Sequence, residues 1–425
     1  MKILIRNPQV LVFRDGLFGI EKKDVFIDGE RIAAVGQAPV GFAADKVIDG
    51  TDKLVMPGLI NLHTHHYMSL FRNIANDVSF HAWLFDNMLT REEKLVEEDC
   101  YWGTMLALTE QIRTGTTCIN DMYVVCDAAA KAVRDSCGRA YMGRGLAGDD
   151  EGDGGRLKAA LEEMERYSGD PLVKFMLCPH APYTCSSGYL KKIAAEAQKR
   201  DLMLHYHLSE SDGEVAGIRE KYGITPVAHA DRLGLLDQPI ILAHCAKAEA
   251  EDMPLLARPC VSVVTNPASN MKLGNGFAPV TQMLAAGVNV CLGTDGPASN
   301  NALNLFRDMT MLALIHKGVT QEPTELSAQT ALAAVTVNAA KALGREDELG
   351  QVAPGYLADL AILDLNAPEL LPHNDIVSSL VYSAYGTEVE TVLINGKIVM
   401  EDRRLRFIDE ERVRFEIKKR TGAFE

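Results

Sequence analysis

The hydrophobic pattern changes period twice along the chain. Over the first fifty-odd residues apolar and polar positions alternate. There Val25-Phe26-Ile27-Asp28-Gly29-Glu30-Arg31-Ile32 reads as a hairpin with Asp28-Gly29 at its turn. The other end has the same texture, in Asp359-Leu360-Ala361-Ile362-Leu363-Asp364 and then Val392-Leu393-Ile394-Asn395-Gly396-Lys397-Ile398-Val399, where Asn395-Gly396 is a second tight turn. Two hairpin-rich segments at opposite ends can pair only if the middle closes on itself. We therefore expect one small β-sandwich domain built from residues 1–56 and 346–425.

From about Pro57 to about Leu343 the rhythm differs. Short apolar runs alternate with helical stretches of about 10–15 residues, the pattern of repeated βα units on a parallel sheet. The helical stretches include Leu157–Tyr167, Gly188–Arg200, Pro279–Ala286 and Leu326–Leu343. Eight apolar runs read as strands, and the residues at their C-terminal ends carry the chemistry. Leu59-Ile60-Asn61-Leu62 leads into His63, Thr117-Cys118-Ile119-Asn120 into Asp121, and Ala140-Tyr141-Met142-Gly143 into Arg144. Val173–Cys178 precedes His180, and Met203-Leu204-His205-Tyr206 precedes His207. Ile240-Ile241-Leu242-Ala243 leads into His244, Val261-Ser262-Val263-Val264 into Thr265-Asn266, and Val290-Cys291-Leu292-Gly293 into Thr294-Asp295. Nearly every run ends in a polar residue able to act on a substrate. This is how a (β/α)8 TIM barrel builds the active site at its C-terminal mouth. The expected class is α/β, with the barrel over residues 57–345. An open doubly wound sheet would compete, but the chain has neither a Gly-x-Gly-x-x-Gly fingerprint nor a phosphate-binding P-loop.

The length of 425 residues suits one large barrel with a smaller partner domain, and 47% hydrophobic with 24% charged residues excludes extensive disorder. Lys plus Arg is 43 and Asp plus Glu 58, a net charge of −15. Such a chain lacks the basic footprint that nucleic acid requires. The nine cysteines are odd in number, contain no CxxC pair and are scattered through apolar stretches, as reduced thiols would be. The opening Met1-Lys2-Ile3-Leu4-Ile5-Arg6-Asn7-Pro8 is too short in apolar run for a signal peptide, and no stretch approaches the ~18 apolar residues of a membrane span. The expectation is a cytoplasmic protein with no nucleic-acid or membrane partner, and a homo-oligomer on the frequency of such assemblies.

His63-x-His65 places two imidazoles on one face of an extended strand, because side chains alternate with period two. His207 and Asp295 come from other strand ends. Three imidazoles and a carboxylate are the N/O set that a divalent first-row metal prefers, Zn²⁺ first and Fe²⁺ second. A lone histidine is more often a structural group, but five of the eleven histidines fall at or just beyond strand ends. Glu210, three residues past His207, can stand beside the metal without ligating it and is the candidate general base. His244 could hydrogen-bond the attacking hydroxide. The fourth strand end, Met176-Leu177-Cys178-Pro179-His180, has no lysine to bridge two metals, and Lys174 lies too early, so one metal ion is expected.

These residues resemble the amidohydrolase superfamily through Pro57–His65, Pro179-His180-Ala181-Pro182-Tyr183, His207-Leu208-Ser209-Glu210, Ala243-His244-Cys245, Asn266-Pro267-Ala268-Ser269-Asn270 and Gly293-Thr294-Asp295-Gly296. Within it the chain most resembles the branch of S-adenosylhomocysteine/5′-methylthioadenosine deaminases, which also holds chlorohydrolases. The resemblance implies metal ligands at His63, His65, His207 and Asp295. It implies Glu210 as proton shuttle, with His244 and Asp295 orienting the hydroxide. It further implies substrate contacts: Ser299 to the purine, His180 to a purine ring nitrogen, Glu92 to the ribose hydroxyls and Arg144 to a homocysteine carboxylate. The implied reaction is hydrolytic deamination of an adenine nucleoside (S-adenosylhomocysteine, 5′-methylthioadenosine, adenosine or 5′-deoxyadenosine). The alternatives are deamination or dechlorination of 8-oxoguanine, guanine or an s-triazine, and a catalytically dead scaffold. Three departures from the family pattern all fall in mouth loops: Met88-Leu89-Thr90, Arg72-Asn73 and the Gly/Asp-rich stretch from Gly148 to Gly155.

Overall fold

The apolar runs of the middle become parallel strands buried on both faces, as near-continuous hydrophobic sequence requires. In the computed structural model, which describes residues 1–149, 152–422 and 424, they span Leu59–Thr64, Thr116–Tyr123, Arg139–Leu146, Val173–Phe175 with Cys178–Pro179, Leu204–Leu208, Ile240–His244, Val261–Thr265 and Asn289–Leu292. The first four runs form one parallel sheet and the last four another. Hydrogen bonds join the two sheets at both edges. At one, His205 N donates to Leu177 O (3.0 Å) and Leu177 N to Met203 O (3.1 Å). At the other, Asp295 N donates to His63 O (2.9 Å), and Asn61 exchanges side-chain bonds with Thr294. The architecture is α/β.

Two expectations about this part are corrected. The run Val173–Cys178 is not one strand but two short pieces, because Met176 bulges toward its neighbour. A Cβ on Gly143 would stand 2.3 Å from the Met176 carbonyl, an approach that only glycine permits. The stretch Leu326–Leu343 is not one helix but Ala328–Ala334 followed by Val337–Ala342. The carbonyl of Val335 accepts from Ile60 N (2.9 Å) in the first strand, which takes it out of the helical ladder.

The two ends of the chain meet. Lys53–Pro57 pairs antiparallel with Leu360–Asp364 and parallel with Gln9–Arg14 inside a seven-stranded sheet. Lys2–Arg6, Val25–Asp28, Arg31–Val35 and Lys46–Asp49 form a four-stranded sheet. Ile3, Ile5, Val25, Ile27, Val55, Leu360, Ile362 and Leu393 fill the apolar cluster that both sheets supply. The first hairpin turn is Gly29-Glu30, one residue later than expected, since Asp28 and Arg31 pair directly. Asn395-Gly396 turns as expected, with φ +52° and +71°. A Cβ on Gly396 would lie 1.9 Å from Gly29 O, so the two turns touch.

The region 346–425 also contains two helices. Ile376–Tyr382 rests on Leu305–Thr320 and Ala328–Ala334, and Glu410–Thr421 rests on Glu97–Arg113. Among the described residues no helix is long and apolar enough to cross a membrane.

Candidate metal centre and substrate pocket

The strand ends deliver a cluster of imidazoles around one carboxylate. Two groups have their ligand atoms within 4.8 Å of one another: His63, His207 and His244, and His63, His65 and Asp295. His63 Nε2 and His65 Nε2 stand 3.4 and 3.5 Å from Asp295 Oδ1, and His207 Nε2 is 3.3 Å from His65 Nε2. The other ring nitrogens are engaged elsewhere. His65 Nδ1 donates to Met122 O (3.0 Å), His207 Nδ1 to His180 O (2.7 Å), and His63 Nδ1 meets His205 Nε2 (2.9 Å). The first two bonds select the tautomer that leaves Nε2 of His65 and His207 as a lone pair facing the cluster. His63 Nε2 is buried and has no hydrogen-bond partner. An orphaned buried acceptor in this N/O set is what a divalent metal ion would satisfy, so the donor set fits one.

The electrostatics agree. Burial pushes His63 down to about 4 and lowers His65 and His207, so all three are neutral at pH 7, as ligation requires. Burial alone would raise Asp295, but the surrounding imidazoles, His63 first, hold it well below the usual carboxylate range. Asp295 sits at φ +63° and its carboxylate accepts from Ser269 Oγ (2.6 Å), Ser299 Oγ (2.8 Å) and its neighbour Gly296 N (2.6 Å). A non-glycine residue held in the left-handed region marks a place where geometry is enforced.

Glu210 leaves the His207 strand through a turn in which Ser209 is also left-handed, φ +52°. Its Oε2 accepts from Tyr183 OH (3.1 Å), and its Oε1 lies 3.4 Å from Asn275 Nδ2 and 3.8 Å from His244 Nε2. Burial raises its carboxyl. His244, at φ +72°, is oriented by Asn270 Oδ1 (2.9 Å) on Nδ1. The turn itself is held by buried Glu214, whose two carboxylate oxygens accept from Ser209 N (2.7 Å) and Glu210 N (2.9 Å).

Above this floor lies a cavity of about 410 Å³. Glu210, His244 and Asp295 line its base, His180 and Glu92 its walls, and Met68, Phe80, Trp83, Leu84 and Leu89 its apolar side. Glu92 Oε1 accepts from Tyr67 OH (2.6 Å), and burial raises its carboxyl to about 7. His180 Nδ1 meets Thr184 Oγ1 (2.7 Å), and burial pushes its ring down to about 3.

Two substrate contacts implied by the resemblance are placed differently. Ser299 does not line the cavity. It is fully buried behind Asp295 and donates to that carboxylate and to Gly296 O (3.0 Å). Arg144 lines the cavity, but all three of its guanidinium nitrogens are engaged: two by buried Glu163 and the third by Val124 O (2.7 Å). The other cation at the rim, Arg156, makes no side-chain hydrogen bond or ion pair among the described residues, and its charge acts on Glu92 and His180. It opens the helix Arg156–Arg166, and Asp153 steadies that start by accepting from Gly155 N (2.8 Å), Leu157 N (3.0 Å) and Tyr189 OH (2.7 Å). Of the Gly/Asp-rich stretch, residues 150 and 151 lie outside the described residues. Sequence reasoning missed Tyr67, Tyr183, Glu214 and Arg156. Tyr183 ends the Pro179–Tyr183 motif. Glu214 stands three residues after Ser211, the spacing of a capping box, but its side chain turns back to Glu210 N and Ser209 N, one and two residues further than a box would.

Comparison with known proteins places this geometry. The chain is 41% identical over 99% of its length to a 5-methylthioadenosine/S-adenosylhomocysteine deaminase from Thermoanaerobacter pseudethanolicus, covering 99% of that protein. It is likewise 41% identical to a 5′-deoxyadenosine deaminase from Methanothermobacter thermautotrophicus, over 97% of this chain and 96% of that one. The crystal structure of an adenosine deaminase from Xanthomonas campestris with bound zinc superposes with a TM-score of 0.94 at 32% identity, covering 99% and 98% of the two chains. Residues 54–399 match the amidohydrolase family, and the chain belongs to that family.

Proposed function

We propose that the protein is a mononuclear zinc-dependent aminohydrolase of adenine nucleosides that carry a 5′ substituent, working in a reducing cytoplasm where its nine cysteines stay free. The catalytic domain in this reading is a closed (β/α)8 barrel over residues 57–345, with a β-sandwich from residues 1–56 and 346–425. The observation that carries the substrate assignment is Glu92. A carboxylate aligned by Tyr67 in the wall of the metal-site cavity matches a ribose diol, whereas a free base has no diol to offer it. The similarity to deaminases of methylthioadenosine, S-adenosylhomocysteine and deoxyadenosine supports the same choice.

In this reading His63, His65, His207 and Asp295 hold the ion. When bound there, the ion lowers the pKa of water toward ~7 and so makes hydroxide available at neutral pH. Glu210 takes the water proton and passes it to the ring nitrogen beside the amine-bearing carbon. The oxygen adds to that carbon, and His244 Nε2 orients the oxygen by a hydrogen bond. The second water proton, moved through the same carboxylate, leaves with the amine as ammonia. The product is the inosine analogue. Held at Nδ1 by Thr184 Oγ1, His180 turns Nε2 toward another purine nitrogen. Arg156 receives an anionic 5′ tail, the role that Arg144 cannot take while it is paired with Glu163. Trp83, Leu84 and Leu89 receive an apolar tail.

The test is ammonia release by zinc-loaded protein from S-adenosylhomocysteine, 5′-methylthioadenosine, 5′-deoxyadenosine and adenosine against adenine, guanine, 8-oxoguanine and a chlorotriazine. Preference for the nucleosides supports the assignment. Turnover of the bases or the triazine alone refutes the substrate while leaving the metal chemistry intact.

A further inference from the structure

We propose that Phe424 and Arg91 clasp the sugar end of the pocket, so that a residue near the far end of the chain sets the affinity for the ribose; this rests on the reading of Glu92 as the ribose-binding carboxylate. The argument is a closed circuit of contacts. Arg91 Nε donates to the backbone carbonyl of Phe424 (2.9 Å). Its Nη1 donates to both oxygens of Asn87, at 3.0 and 3.1 Å, and Asn87 Nδ2 donates on to Ala82 O (2.8 Å). One guanidinium thus ties Phe424 to the stretch Ala82–Met88 and Leu89–Glu92, which ends in Glu92. That stretch begins as a π-helical turn, a geometry that recurs at functional sites and needs outside support.

The return path is aromatic. The Phe424 ring is 2% exposed and meets Phe71 edge-on, with centroids 5.3 Å apart. Phe71 in turn meets Tyr67 at 6.5 Å, and the Tyr67 hydroxyl donates to Glu92 Oε1 (2.6 Å). Phe424 therefore supports both groups that set the position of the Glu92 carboxylate: the segment that carries it and the tyrosine that aligns it. Tyr67 is the member of this circuit that meets the imidazole cluster, edge-on to His65 with centroids 6.3 Å apart, and Phe424 and Arg91 stand one step further back. Phe424 is brought to this place by the helix Glu410–Thr421, whose Arg420 pairs with Glu98 (2.5 Å) and Asp99 (3.2 Å) at the start of the helix Glu97–Arg113. Phe424 is a positioning residue: loosening it lets Glu92 drift from the diol while the reacting end of the pocket stays in place.

The experiment measures kcat and KM of zinc-loaded wild type, Phe424→Ala and Arg91→Gln with adenosine and with 2′,3′-dideoxyadenosine, which lacks the diol. We expect both variants to raise KM for adenosine about tenfold, the scale of one charge-assisted hydrogen bond. We expect kcat to stay within about twofold, KM for the dideoxy substrate not to move, and Phe424→Leu to recover most of the affinity. An equal rise for both substrates, or a fall confined to kcat, overturns the clasp. So does no change in either variant when Glu92→Gln raises KM for adenosine. If wild type itself does not distinguish the two substrates, the Glu92 reading fails first. Arg91→Gln carries the test alone should Phe424→Ala not fold.

Discussion

The floor and the rim of the pocket are built by different rules. At the floor the functional side chains are fixed twice, by their place at or just past the end of a parallel strand and by a partner behind them. His65 leans on Met122 O, His207 on His180 O, His244 on Asn270 and Asp295 on two serines. At the rim, position does not decide the role. Arg144 and Arg156 both line the cavity, yet one is held by Glu163 and Val124 O while the guanidinium of the other makes no hydrogen bond or ion pair among the described residues. Reaction chemistry is thus built into the strand ends, and substrate choice into side-chain pairings among the loops and helix starts.

The contrast is tested most severely at Glu210. Glu210→Gln keeps the shape but cannot carry a proton, so we expect kcat to fall about 10²–10⁴-fold with metal content unchanged, measured by ammonia release alongside elemental analysis. Turnover near the wild-type rate would remove Glu210 from the mechanism. Glu214→Gln should come next, with a loss of kcat on the order of tenfold to a hundredfold. An amide can offer one oxygen to the Ser209 and Glu210 N–H groups but must turn its own N–H₂ toward the other, which displaces the turn. Unchanged kcat would show that the turn holds itself.

At the rim the effects are smaller and should separate. Arg156→Ala should raise KM for S-adenosylhomocysteine about tenfold and leave 5′-methylthioadenosine unaffected, the scale of one lost charge-assisted contact. Arg144→Ala should instead lower the melting temperature, because it strands the buried Glu163 carboxylate. The reverse pattern would return the carboxylate-binding role to Arg144. The mildest effect is in pH. Glu92 is raised to about 7, and its ionised form is the stronger acceptor for a diol. KM for adenosine should therefore fall as pH rises through about 7 and then level off, with no such step in Glu92→Gln.

Much of the floor was legible in the sequence. A strand ending in a histidine states where the side chain is, so the clustering of His63, His65, His207, His244 and Asp295 could be read from the strand ends of the parallel βα rhythm, with Glu210 on the turn that follows His207. The rim was not legible, because its roles depend on contacts between distant residues. No local pattern announces that Glu163 will occupy Arg144, that Ser299 will face Asp295 rather than the cavity, or that Glu214 will reach back past its own helix cap. The helix over Leu326–Leu343 failed for the same reason: Val335 gives its carbonyl to Ile60, a partner far away in sequence.

The most direct test of the central claim is ammonia release from 5′-methylthioadenosine by protein stripped with a chelator and then titrated with zinc. We expect activity to vanish on stripping while the far-ultraviolet circular dichroism is kept, and to return in full at one equivalent of zinc per chain. Full turnover by the stripped protein would contradict the metal-dependent mechanism, and recovery only at two equivalents would contradict the single site.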